Sequence, residues 1–343
     1  MRGARRLRDR PVMTGVARVA GMPHRTAVRD QAAGTAYPLG LVAFDTSLAG
    51  PTSTVHAIVR AARAAGHPLT VVSARSLDAG SVDAAVDVLY GQPVEGILAV
   101  APTDPALAAL AGIPADVPLL AVGAGGAGCA GGAVSAGGAG GAGGAVTAGG
   151  AGCAVSAGGA AGVPVVGFDN LSGAATATRH LLDLGHPTVH HIAGPSGWPE
   201  ARERGAGWRA ALAEAGAPLG MVLDGDWSVR SGYEAARRLA EDRDVTAIFC
   251  ANDQMALGAL RALHLAGRAV PEEVSVVGFE DVPEAAFLRP ALTTVRQDLA
   301  ALGRASVDLL VRQIGAGVRI LRHVRFPPSF VERESTARPS CER

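Results

Sequence analysis

Thr246-Ala247-Ile248-Phe249-Cys250-Ala251-Asn252-Asp253-Gln254-Met255 is the stretch on which the fold turns. Four apolar residues, 247–250, are too few for a helix and long enough for a buried strand. Asn252 or Asp253 can accept a hydrogen bond from a helix N-terminus, and the helical pattern 253–266 follows at once. It closes at Gly267, with Pro271 beyond. A strand running directly into a capped helix is half of a βαβ unit.

The same rhythm extends in both directions. Buried strands are expected at 39–44, 69–73, 96–100, 119–122, 163–168, 189–193, 221–223, 247–250 and 274–279. Helices are expected at 53–65, 81–90, 171–184, 199–215, 231–241, 253–266 and 297–314. Asn170 can cap the helix after it, and Gly185 lies just past its end. A last strand-like passage, 322–331, is broken by Pro327-Pro328. Two successive α/β units of this size predict two similar lobes with parallel sheets covered on both faces.

Residues 123–162 break the rhythm. They are almost wholly Gly and Ala, and no charged residue lies between Asp116 and Asp169. Side chains so small offset little backbone entropy, so the stretch reads as a disordered or loosely packed insertion. As a flexible coil it spans roughly 35 Å. Replacing a ten-residue connection, it adds only about 1.2 kcal/mol of closure cost.

Composition narrows the function. The 343 residues carry zero formal net charge, so bulk electrostatics select no partner. Residues 1–30, however, hold eight arginines against Asp9 and Asp30. Such an arm suits a phosphate backbone, and equally a solvated tail. Cys129, Cys153, Cys250 and Cys341 are scattered without metal-ligand spacing, which fits a reducing compartment. No apolar signal segment and no unbroken apolar run of membrane-spanning length is read, so a cytoplasmic location without membrane partners is expected. Gly123–Gly128 satisfies G-x-G-x-x-G, but in a glycine tract, without the acidic residue that would hold a ribose. The chain contains no lysine for a P-loop. His190-His191 lie together on one strand and face opposite sides, one toward the core or hinge and the other toward the surface. No cofactor, metal site or catalytic triad is read, and the expectation is a non-enzyme.

Polar residues gather instead beyond the C-terminal ends of predicted strands, where open α/β sheets bind ligands. Asn252-Asp253 follow one strand and Glu280-Asp281 another. Arg202 and Arg204 follow a third, and Trp227 a fourth. An amide, carboxylates, guanidinium groups and an indole together suit the hydroxyls and apolar face of a sugar. Singly, each residue favours ordinary helix capping; jointly, four such strand ends favour a site.

At these residues the chain resembles the LacI/GalR family of bacterial regulators. The resemblance runs from Val163 to about Ser335. It rests on Val166-Gly167-Phe168-Asp169-Asn170, His180-Leu181-Leu182-Asp183-Leu184-Gly185-His186, the 246–256 stretch, Val276-Val277-Gly278-Phe279-Glu280-Asp281 and Leu292-Thr293-Thr294-Val295-Arg296-Gln297-Asp298. Residues 38–122 match more loosely.

The resemblance implies an α/β fold of two Rossmann-like, periplasmic-binding-protein type I lobes joined by three crossings. The lobes would comprise 38–167 with about 294–320, and 168–293 with about 321–336; 337–343 would be a tail. It implies a homodimer with a small sugar-like effector in the cleft, contacted by Asp45, Thr46, Arg202, Trp227, Asn252 and Glu280. Glu280 stands where many members have aspartate, and its extra methylene carries the carboxylate about 1.5 Å further. Residues 1–37 resemble a short, degenerate helix-turn-helix in Val16-Ala17-Arg18-Val19-Ala20-Gly21-Met22-Pro23-His24-Arg25-Thr26-Ala27-Val28-Arg29. Arg18, His24, Arg25, Thr26 and Arg29 would then face operator DNA. Only residues 30–38 separate this segment from the first core strand, leaving no room for the third helix and the hinge helix. Two expectations therefore stand: a DNA-binding regulator, and an effector-binding module that has lost specific DNA binding.

Overall fold

The computed structural model describes residues 36–44, 48–76, 78–101, 103–114, 116–123, 154–156 and 162–340. The proposed DNA contacts Arg18, His24, Arg25, Thr26 and Arg29, the loop residues Asp45 and Thr46, and most of the Gly/Ala tract lie outside them.

The apolar runs pair as parallel strands with a helix after nearly every one. The order begins β1 (Leu39–Phe44), α1 (Ala49–Ala64), β2 (Leu69–Ala74), α2 (Ala79–Tyr90), β3 (Gly96–Val100), α3 (Asp104–Ala111), β4 (Leu119–Val122), β5 (Ala154–Ser156) and β6 (Val165–Phe168). It continues through α4 (Asn170–Asp183), β7 (His190–Ala193), α5 (Pro199–Glu214), β8 (Val222–Asp224), α6 (Val229–Leu239), β9 (Ala247–Cys250), α7 (Asp253–Leu265) and β10 (Ser275–Val277). A 3-10 turn (Pro283–Phe287) precedes β11 (Thr294–Arg296), α8 (Leu299–Ala316), β12 (His323–Phe326) and β13 (Ser329–Val331).

One sheet runs β2-β1-β3-β4-β6-β12-β5, a second β10-β9-β7-β8, and a two-stranded ribbon joins β11 to β13. Each large sheet is covered on both faces. Ile97, Leu110 and Leu119 belong to one core of the first lobe, while Leu41, Ile58, Leu302 and Leu310 belong to another on the opposite face. In the second lobe, Ile248 and Leu263 pack on one side and Phe249, Trp208 and Leu181 on the other. Double coverage explains why these strands read as unbroken apolar runs. The α/β fold with two Rossmann-like lobes is as the sequence predicts.

The structure corrects several details. β12 runs in the first sheet, parallel to β6, although 321–336 was assigned to the second lobe. β11 pairs with β13 on the second-lobe side, so 294–296 do not belong to the first. The crossings thus fall at Asp169, at Gln297-Asp298 and at Pro327-Pro328. Ala337, assigned to the tail, exchanges hydrogen bonds with Ser275. Three residues of the Gly/Ala tract form β5, antiparallel to β12, where loose packing was expected. Helix α3 was not predicted, because an Ala-rich helix with one acidic residue carries little amphipathic pattern. Asp169, not Asn170, caps α4, its Oδ1 accepting from Ser172 N at 3.0 Å.

Neither histidine of the His190-His191 pair lies at the surface, because β7 is an inner strand. His191 is 1% exposed and stacks between Trp208 and Phe249, with ring centroids 5.4 and 4.9 Å away. Its Nδ1 lies 3.0 Å from the Phe249 carbonyl, and burial pushes its pKa down to about 4. An unfolded chain takes up this proton near pH 6.5, so His191 withdraws stability as pH falls from 6.5 toward 4. Over that window His191→Phe should gain about 3 kcal/mol relative to the parent chain. Paired denaturant titrations at the two pH values measure this, and a constant difference would show that His191 titrates normally.

Candidate functional site

A cavity of about 170 Å³ opens between the lobes. The first lobe supplies the N-terminal turn of α1 and the ends of β3, β4 and β6, through Leu48, Gly50, Val100, Gly123 and Phe168. The second supplies the polar side, with Arg204, Trp227, Asn252 and Glu280, and Glu200 lies at the start of α5. Gln297 enters from the second crossing.

Backbone geometry marks the same place. Among the described residues, those with positive φ that are not glycine are Trp227 (73°), Glu280 (110°) and Asp281 (59°), and all three line the cavity. Each such conformation costs on the order of 1–3 kcal/mol and persists only where its surroundings enforce it. They do so here. Asp253, 2% exposed, accepts from Thr294 Oγ1 at 2.6 Å and from Val282 N at 2.9 Å. Burial raises its pKa to about 7, against those hydrogen bonds. Asp281 is held by Arg296 at 2.5 Å and Arg333 at 2.6 Å. Asn252 caps α7 through Met255 N at 2.9 Å, while its Nδ2 donates to the Trp227 carbonyl at 3.1 Å. Its side chain therefore couples two cavity-lining loops.

Arg204 is the centre of the site. Its Nε donates to Asn170 Oδ1 at 3.1 Å, one Nη donates to the Ala251 carbonyl, and the same nitrogen lies 3.5 Å from Glu280 Oε1. The guanidinium lies 4.0 Å from the centroid of the Phe279 ring. Burial lowers its pKa and Glu280 opposes that shift, but a guanidinium stays protonated. Glu280 is raised by burial and held back by Arg204. Asn170 also accepts from Gln297 Nε2 at 3.3 Å and donates to Glu203 Oε2 at 3.2 Å; Glu203 in turn pairs with Arg325 at 2.9 Å. One polar network thus joins the cavity to residues at or next to all three crossings.

Residues 178–336 match the family model described as a periplasmic binding protein-like domain. The lactose operon repressor of Escherichia coli (strain K12) is 36% identical over 176 residues, 51% of this chain and 49% of that protein. A dimeric Lac repressor with an 11-residue C-terminal deletion is similar in structure, with a TM-score of 0.72 and 28% identity over 88% of this chain and 99% of the other. The likeness to the Lac repressor extends over most of the described core. The CelR–cellobiose complex is also similar, with a TM-score of 0.70 and 26% identity over 95% of this chain and all of the other. The chain spans about half the length of the curated relatives it matches.

Of the residues expected to face an effector, Trp227, Asn252 and Glu280 stand together on the cavity wall. Arg202 does not. It is exposed, donates to the Ser196 carbonyl at 2.9 Å, and pairs with Asp104 of the first lobe at 2.7 Å. Arg204 takes the place the sequence reading gave to Arg202. The two differ by two positions on α5, which turns their side chains roughly 200° apart. A signal did exist. Ala201, Arg204, Trp208, Ala211 and Leu212 share helical spacing, so Arg204 lies on the apolar, buried face. Asn170 and Gln297 were missed because each lies at a crossing, where local pattern does not report which side chains converge.

Proposed function

We propose that the chain is a LacI-type transcriptional regulator, cytoplasmic and homodimeric, whose lobes close on a small sugar-like effector. The observation that carries this reading is the cavity wall itself, where Arg204 and Asn252 meet Glu280 and the Trp227 ring, the last two on backbone held at positive φ. Hydrogen-bond donors and acceptors beside an aromatic face suit a polyol. Arg202 and Asp104 meet across the lobes, so closure can be favoured by both effector and ion pair. An effector that binds the closed form better shifts the population toward it.

The names of the relatives support the same reading: one is a lactose operon repressor, another a dimeric Lac repressor, and a third is described with cellobiose. No catalytic step is assigned to the chain. Among the described residues, no group of three or more His, Cys, Asp or Glu side chains could hold a metal ion. No helix among them is long and apolar enough to cross a membrane.

The short interval between Arg29 and β1 favours a second reading, an effector-binding module without operator recognition. Calorimetry against mono- and disaccharides tests the effector; no heat with any of them would remove it. A gel shift across salt concentrations separates the two readings. Sequence-specific retention supports a regulator. Retention that ignores sequence and vanishes at moderate salt leaves only a basic arm.

A further inference from the structure

The charges lining the cavity are uneven. Asp281 has Arg296 and Arg333, and Glu280 has Arg204. Glu200, in the first turn of α5, lines the same cavity, and no cation pairs with it among the described residues. Its Oε2 is buried and has no hydrogen-bond partner among the described residues. Its Oε1 stands 3.4 Å from where a Cβ on Gly123 would lie, so the carboxyl reaches across toward the first lobe. The groups that act on it electrostatically are one cation, Arg204, already shared with Glu280, and two further carboxylates, Glu203 and Glu280. A second orphan lies in the same wall: Trp227, 8% exposed, has a buried indole N–H with no acceptor among the described residues.

We propose that the effector is an amino sugar or similar amine-bearing polyol, with its ammonium on Glu200 and a hydroxyl oxygen near the Trp227 indole N–H. This deepens the reading of the cavity as a polyol site and rests on it. A neutral sugar could hydrogen-bond Glu200 but would leave the carboxyl protonated, or ionised with no cation beyond the Arg204 it shares with Glu280. An ammonium satisfies both the oxygen and the charge, through a hydrogen bond about twice as strong as a neutral one. The strain of desolvation is already visible: burial raises the pKa of Glu200 to about 7. An ammonium favours the ionised form, so binding should release the proton the carboxyl holds below that pH.

Calorimetry on the full chain decides it, using glucosamine, galactosamine and mannosamine, each against its parent hydroxy sugar. At least one amine should bind about tenfold or more tighter than its parent. That ratio should rise as pH goes from about 5.5 to about 7.5 and Glu200 ionises. In Glu200→Gln the ratio should collapse toward one. Parent sugars that bind as tightly as their amines would overturn the amine assignment and leave the polyol site standing. A ratio that survives Glu200→Gln and is flat with pH would overturn it too. Silence from every sugar, amine or neutral, would remove the polyol site and this inference with it. The pH series uses the unaltered chain, so it is decisive even if the variant fails to fold.

Discussion

Arg204→Ala should abolish measurable effector binding and cost about 3–5 kcal/mol of stability in the second lobe. The reason is what the guanidinium leaves behind. Glu280 would lose its paired cation inside a cavity wall where its backbone is already held at φ 110°. Asn170 would lose a donor, and the Phe279 ring would lose the cation packed on its face. Removing one partner of a buried pair leaves an uncompensated charge, and that dominates the cost. Arg204→Lys should rescue little, because an ammonium cannot serve Asn170, Ala251 and Glu280 from one planar fork. Arg202→Ala is the matched comparison. Its pair with Asp104 is exposed on both sides, so it should change stability by no more than about 1 kcal/mol. Trp198, Trp208 and Trp227 all belong to the second lobe, so denaturant titration followed by tryptophan fluorescence reads that lobe directly. Equal effects from Arg202→Ala and Arg204→Ala, in fluorescence and in calorimetry, would remove Arg204 from the centre of the site.

Gly258→Ala should destabilise the second lobe by about 3 kcal/mol, the upper end for overpacking between elements that cannot yield. Helices α6 and α7 touch through their backbones. A Cβ on Gly258 would fall on the Val229 carbonyl and the Tyr233 amide, and one on Gly232 would fall on the backbone of Met255. The obstructing atoms are main chain, so no side-chain rotation relieves the clash and the helices must separate. That separation reaches the site, because Asn252 at the head of α7 holds the Trp227 carbonyl in the loop before α6. At roughly 2–4 °C per kcal/mol, the melting temperature should fall by about 6–12 °C, with weaker effector binding alongside. Gly315, with open space around it, is the control and should tolerate alanine without such a fall. A Gly258→Ala melting temperature indistinguishable from the parent would show that the close crossing does not exist.

The two glycines show where sequence reading stops. In the linear chain they are single small residues inside helical patterns. Only the approach of a second helix makes a missing Cβ necessary, and nothing local encodes that approach. The same holds for Asn170. A polar residue after a strand reads as a cap, and the cap is Asp169, which leaves the Asn170 side chain free to bond Arg204, Gln297 and Glu203. Glu200 at the start of a helix likewise reads as a favourable first-turn acid; its isolation in the cavity depends on both lobes at once.

What the sequence by itself determined is everything carried by neighbours along the chain. Strand length, apolar continuity, capping residues and terminal glycines follow from backbone hydrogen bonding and burial within about ten residues. They are enough for paired parallel α/β lobes and for ligand-facing loops at the ends of particular strands. Tertiary structure alone decided which sheet receives β12 and which cavity carboxylate lacks a paired cation among the described residues. Those outcomes depend on how each helix is rotated against its sheet and on which groups from distant segments share one desolvated space. Such interactions are fixed by three-dimensional packing, and a residue's neighbours in sequence carry no record of them.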